Sequence, residues 1–161
     1  MVKPIPAQHL RRYVRAEGAI KDALQRALTM HTTGTVQRSP FGLATLQALH
    51  QRLFGADDAE LAAFVLYVAP LIRNLAMQMA ERQAMIQPVK LKLIDLEQWL
   101  RRLDELDPEC VRIIELRYFA GLSLREVAAV LGVPVPDILG RLRFAKAWLQ
   151  ARVRWSPRSI P

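Results

Sequence analysis

The chain has 161 residues, room for one domain or two very small ones, and 52% of them are hydrophobic, which excludes wholesale disorder. Lys and Arg total 23 against 15 Asp and Glu, a formal charge of +8, so nucleic acid or an acidic protein surface suits the chain as a partner. A single cysteine, Cys110, excludes an internal disulfide and fits a reduced, cytoplasmic setting.

Leu, Ala, Arg and Gln dominate the composition and point to helices. The first helix is expected over Ala7 to Met30, with Leu10, Tyr13, Val14, Ile20, Leu24, Ala27 and Leu28 recurring on one face and Gly18 weakening its middle. Arg11, Arg12 and Arg15 give this segment a transit-peptide look, but Glu17, Asp22 and the lack of a cleavage pattern argue against targeting. Thr32 to Gly42 is polar, contains Gly34 and Pro40, and reads as a loop. A short helix, Leu43 to Phe54, follows with Leu43, Leu46, Leu49, Leu53 and Phe54 inward, and Gly55 ends it. Asp57 or Asp58 is the expected cap of the next helix, about Ala59 to Ile86. That helix is apolar nearly all round in its first half, as a buried helix is, and Pro70 should kink it. Its unbroken apolar run, Leu61 to Ile72, is shorter than the about 20 residues a membrane span needs, so no membrane is expected.

Gln87 to Ile94 alternates apolar and polar residues without a second strand to pair with, and is expected to be an extended linker between two helical modules, 1–86 and 95–155, ahead of a frayed tail at 156–161. In the second module Asp95 caps a helix with Leu96, Trp99, Leu100, Leu103 and Leu106 inward. Asp107-Pro108-Glu109 then opens another, Asp as cap and Pro at the first position, where its missing N–H costs nothing. Val111, Ile114 and Tyr118 form its inner side and Gly121 ends it. Ser123 with Glu126 is a capping box, Val127, Ala128 and Leu131 are the buried side of a short helix, and Gly132 supplies the left-handed residue of a tight turn plugged by Val133. Pro136 and Asp137 open the last helix, with Ile138, Leu142, Ala145 and Leu149 inward. Two short helices about such a turn make a helix-turn-helix, whose second helix fits the DNA major groove. The fold class is therefore all-α, the second module being a four-helix bundle that ends in this motif.

Charge agrees with that placement. From Asp137 onward six cations (Arg141, Arg143, Lys146, Arg152, Arg154, Arg158) face one acid, whereas Glu97 to Glu126 holds five cations and seven acids. Positive charge concentrated on the recognition helix would displace counterions from phosphates and make binding salt-sensitive.

Leu103 to Gln150 resembles the C-terminal promoter-binding domain of bacterial extracytoplasmic-function (ECF) sigma factors, through Ile114-Glu115-Leu116-Arg117-Tyr118-Phe119, Gly121-Leu122-Ser123, Glu126-Val127-Ala128, Leu131-Gly132-Val133 and Arg143-Phe144-Ala145-Lys146-Ala147-Trp148-Leu149. The resemblance implies promoter DNA and core RNA polymerase as partners, the polymerase performing the chemistry, and a sigma-like role in transcription initiation. The DNA-facing residues are then Arg125, Asp137, Leu139, Arg141, Arg143 and Lys146: Arg125 on a phosphate, Asp137 toward a cytosine amino group, Leu139 toward a thymine methyl, and the other three cations on the backbone. Leu43 to Arg82 is faintly similar to the family's core-binding helices, with Ala48 standing where that helix carries an acid. Pro134-Val135-Pro136 and Gly140 also depart from the family's pattern, and Gly140 offers no side chain. These departures keep a second reading open, a sigma-derived regulator that binds polymerase, an anti-sigma factor or another regulatory protein. A stand-alone DNA-binding repressor or activator is a third.

Other residues have plainer readings. Asp104, Glu105, Asp107 and Glu109 suit helix N-terminal caps and dipoles better than a metal. Cys110 has no partner motif among His9, His31 and His50 and reads as a core thiol. Trp99 and Trp148 fall on apolar helix faces, and Trp155 lies beyond them. No phosphate-binding glycine loop, metal-ligand spacing or catalytic carboxylate pair occurs, so neither a cofactor nor an enzyme activity is expected.

Overall fold

The computed structural model describes residues 5–30, 41–55, 60–84 and 91–155, and among these every regular element is helical. The order is α1 (Ala7–Arg15), α2 (Glu17–Met30), α3 (Leu43–Phe54), α4 (Leu61–Ala84), α5 (Leu91–Leu106), α6 (Pro108–Ile114) running into a π-helical turn (Glu115–Phe119), α7 (Leu124–Leu131) and α8 (Val135–Trp155). The chain is all-α, as its composition and periodicity imply. Most of the expected loop Thr32 to Gly42, the expected cap at Asp57 or Asp58, residues 85–90 and the tail 156–161 lie outside the described residues.

The expected single helix Ala7 to Met30 is two helices. Ala16, at φ −95° and ψ 8°, leaves the helical well, and α2 starts again at Glu17. Gly18 thereby falls in the first turn of α2, where backbone N–H groups have no intrahelical partner to lose. Tyr13, Ile20, Leu24 and Leu28 are buried as expected. Leu10 and Val14 are not; Val14 is 53% exposed, because Tyr13 is the buried side chain of α1 and residues round from it stay in water.

α4 is the element on which both ends of the chain pack. It meets α1, α2 and α3 on one side and α5, α7 and the π turn on the other, and the buried side chains from Tyr13 to Ala145 form one cluster. The segment Leu61–Met79 is long and apolar enough to cross a membrane by length and composition, with a mean hydropathy of 1.4. Its Phe64, Val65, Val68, Ala69 and Ile72 are buried in the protein core. The helix continues through Pro70.

α5 is helical from Leu91, so 91–94 is not an extended connector and Asp95 lies inside a helix rather than capping one. Leu93, Leu96, Leu100 and Leu103 are spaced by three and four, and this helical period outweighs the local alternation of Lys90 to Leu93. Leu106, at the end of the same helix, is exposed rather than inward.

Two polar clusters, each built around a buried carboxylate, brace α4. At its start the Glu60 carboxylate accepts from Arg12 Nη1 at 2.7 Å, with His9 Nδ1 at 2.9 Å and His50 Nε2 at 3.6 Å, and the Tyr13 hydroxyl 3.4 Å from the Glu60 carbonyl. Phe54 and Phe64 pack edge-on to Tyr13 beside it. Further along, Arg73 donates in a fork to Glu97 (3.2 and 3.1 Å) and to Glu115 at 3.3 Å, tying α4 to α5 and to the π turn. Burial pushes the Glu115 carboxyl above the usual carboxylate range, against the pull of Arg73.

Gly121 closes the joint between the two ends. Its φ is +77°, and a Cβ there would overlap the Phe41 carbonyl at the entry to α3. Gly132 is also left-handed, at φ +69°, but faces open space.

Gly121→Ala should destabilise the protein by about 3 kcal/mol or more in urea unfolding, whereas Gly132→Ala should cost about 1 kcal/mol, the backbone term alone. Arg73→Ala, which leaves Glu115 without its buried cation, should cost about 3–5 kcal/mol. Glu115 has a folded-state pKa raised above its unfolded value. Its ionisation therefore opposes folding at neutral pH, and this opposition is relieved as pH falls through the folded value toward the unfolded one. The stability of the wild type relative to Glu115→Gln should rise as pH is lowered from neutral toward the ordinary carboxylate range, and unfolding curves along that descent check the sign.

Candidate nucleic-acid interface

Three caps set the geometry of the last three helices. Asp107 accepts from the Glu109 and Cys110 N–H groups at 3.2 and 3.3 Å, with Pro108 at the first helical position of α6. Ser123 Oγ accepts from Glu126 N–H at 3.2 Å while Ser123 N–H donates to the Glu126 carboxylate at 2.9 Å, the reciprocal box expected for α7. After Leu131, Gly132 adopts φ +69°, ψ 33°, and the N–H groups of Gly132 and Val133 both bond back to the Ala128 carbonyl. α8 then starts at Val135, one residue ahead of Pro136, and buries Ile138, Leu142 and Ala145 with Leu149 half-buried.

The six expected DNA-facing residues do not share one face. Helical spacing sets Leu139, Arg143 and Lys146 along one flank of α8 and Asp137 and Arg141 along the other. Arg143 and Lys146 are exposed and have no carboxylate partner among the described residues; Arg125, near the start of α7, is exposed in the same way. Arg141 is half-buried and turned toward α6, its Nη2 2.8 Å from Glu109 and its Nη1 3.4 Å from Asp107. The residue that caps α6 therefore also receives a cation from α8 and holds the two helices together. Lys146 Nζ stands 5.6 Å from the centre of the Tyr118 ring.

Periodicity put Tyr118 inside, and the π turn puts it outside. The turn closes with Ala120 N–H donating to the Glu115 carbonyl at 2.8 Å, five residues back, so one more residue fits in the coil than in an α-turn. Ile114 stays buried while Tyr118, which an α-helix would stack on it, is 43% exposed.

Cys110 is 1% exposed; its Sγ donates to Asp107 at 3.2 Å, and burial with that bond pushes the thiol up to about 12. Trp99 and Trp148 pack edge-on, 6.2 Å between ring centres, with Arg102 over the first and Arg152 over the second. The Trp155 side chain lies outside the described residues. Among the described residues no group of three or more His, Cys, Asp or Glu could hold a metal ion.

The fold and these caps define an all-α protein whose helices α7 and α8 are joined by a tight turn at Gly132. The ECF sigma factor family model matches residues 71–155, more than half of the chain, and the chain belongs to that family. The match begins in α4, well ahead of Leu103, where the motifs become recognisable by eye. No curated protein and no solved structure matches the chain.

Sequence reasoning missed the pairing of Arg141 and the exposure of Tyr118. Asp107 and Glu109, the cap and the second helical residue of α6, were visible as acids at a helix start; that Arg141 answers them required the turn at Gly132 to fold α8 back. With its pKa near 12, Cys110 should react with a soluble thiol reagent at neutral pH about a hundredfold or more slowly than free cysteine, and only unfolding should restore the rate.

Proposed function

We propose that this chain is a sigma-like initiation protein that brings core RNA polymerase to promoter DNA, with residues 95–155 as the DNA-docking unit and 1–86 as a divergent core-binding unit. The observation that carries the reading is the exposed pair Arg143 and Lys146 on one flank of α8, cations with no carboxylate among the described residues to spend their charge on. Arg125 adds a third charge at the start of α7. Leu139, half-buried on the same flank, is the apolar contact for a base edge, and Asp137 is the acceptor at the start of the helix. Arg141 serves this surface from behind, by holding α8 against α6, and half of its side chain remains open to a phosphate. Such a protein works where the polymerase is, in the cytoplasm, and makes no chemical step of its own.

A second reading rests on Ala48. It is exposed on α3, and no acid occurs from Leu43 to Gly55, where the family resemblance expects one facing polymerase. A protein partner other than the polymerase clamp, such as an anti-sigma factor or another regulator, fits that surface as well.

Pull-down with core polymerase followed by run-off transcription separates the two. The first reading expects association and a transcript; no polymerase association removes it and leaves the second. In DNA binding by the polymerase complex, Arg143→Ala and Lys146→Ala should each lower the slope of log affinity against log salt by about one, and Arg141→Ala should mainly lower stability, by about 0.5–1 kcal/mol for a half-exposed pair.

A further inference from the structure

We propose that Tyr118 is an additional contact for the DNA backbone, its hydroxyl donating to a phosphate oxygen while its ring holds Lys146 in place. The inference rests on the DNA-docking reading above and adds a residue that charge and periodicity did not assign to it.

The π turn is the first observation. It moves Tyr118 off the inner line that Ile114 keeps, and leaves a large aromatic side chain in water at the loss of its burial. Such local widenings of a helix recur at functional positions. The second observation is the company the ring keeps. Lys146 Nζ lies 5.6 Å and Arg117 Cζ 5.8 Å from the ring centre, so two cations sit on an electron-rich face that attracts them. Arg117 is fixed there by donating to the Leu122 carbonyl at 3.0 Å. Lys146 is three residues from Arg143, on the same flank of α8. The third observation is the hydroxyl, which has no hydrogen-bond partner among the described residues.

Together these make an aromatic residue with two cations over its ring at the edge of the candidate interface, so the electron-rich ring is already engaged. What a ligand meets is the hydroxyl edge, a neutral donor flanked by positive charge, and that suits a phosphodiester oxygen. A carboxylate on an acidic protein would use the two cations equally well, and the test separates these sources by its probe.

The experiment is binding of the full chain to a labelled duplex DNA of arbitrary sequence at low and rising salt, by fluorescence anisotropy. Tyr118→Phe keeps the ring and loses the hydroxyl; it should weaken binding about fivefold to tenfold with the salt slope unchanged, since no charge is removed. Tyr118→Leu should lose about threefold more, because Lys146 is no longer held. If both variants bind as the wild type does, while Arg143→Ala with Lys146→Ala lowers the slope by about two, the role of Tyr118 is overturned and the DNA reading stands. If the wild type does not bind DNA, or that double variant leaves the slope unchanged, both fall. A lower unfolding midpoint for Tyr118→Phe with unaltered DNA affinity makes the residue structural and also overturns the proposal.

Discussion

A guanidinium taken out of water has to be answered by carboxylates held at fixed distances, and Arg73 imposes that demand on the centre of this molecule. Its fork meets Glu97 on α5, and its remaining nitrogen meets Glu115 at the head of the π turn. The arrangement is not a cheap source of stability, because both partners are desolvated and Glu115 is held above its ordinary pKa by burial. Its value lies in geometry. A hydrophobic contact between α4 and the turn would tolerate a small rotation, whereas a three-way ion pair specifies how far along α4 the turn must sit.

The rest of the C-terminal half follows from that register. The turn that carries Glu115 also carries Tyr118 outward and delivers the chain to Gly121, which lies against the Phe41 backbone. The Ser123 box then starts α7, Gly132 reverses direction, and α8 returns to α6 to meet Asp107 and Glu109 through Arg141. The net charge of +8 is thereby sorted by place. Arg12, Arg73 and Arg141 are paired with carboxylates, Arg102 and Arg152 stand over tryptophan rings, and Arg125, Arg143 and Lys146 remain on the surface. A count of cations along the sequence could not separate these groups, because what distinguishes them is the element each one faces.

What was legible in the sequence was the chemistry that acts over a few residues. The caps at Asp107 and Ser123 and the left-handed Gly132 each rely on hydrogen bonds spanning two to five positions, and each is where the residue types place it. The all-α class and most of the core followed from spacing. The rest depended on distance in space. Glu60 gathers His9, Arg12 and His50 from elements far along the chain, and no local pattern announces that meeting. The π turn was invisible for a related reason: its sequence continues the apolar spacing of α6, and only the Arg73 contact and the Gly121 joint call for the extra residue. The helical start at Leu91 was missed because local alternation at Lys90 counts for less than the longer period around it, whereas the break at Ala16 interrupts a face whose spacing runs on from Tyr13 to Leu28, so spacing alone did not show it.

The Gly121 joint has a mechanical corollary. Main chain rests on main chain there, with no side chain between to bend or repack, so the footing of α3 and the footing of α7 are shared. The Phe41–Gly42 entry to α3 and the Gly121 exit from the π turn thus share one backbone contact, and a change in the seating of α3 bears directly on the segment that leads into α7.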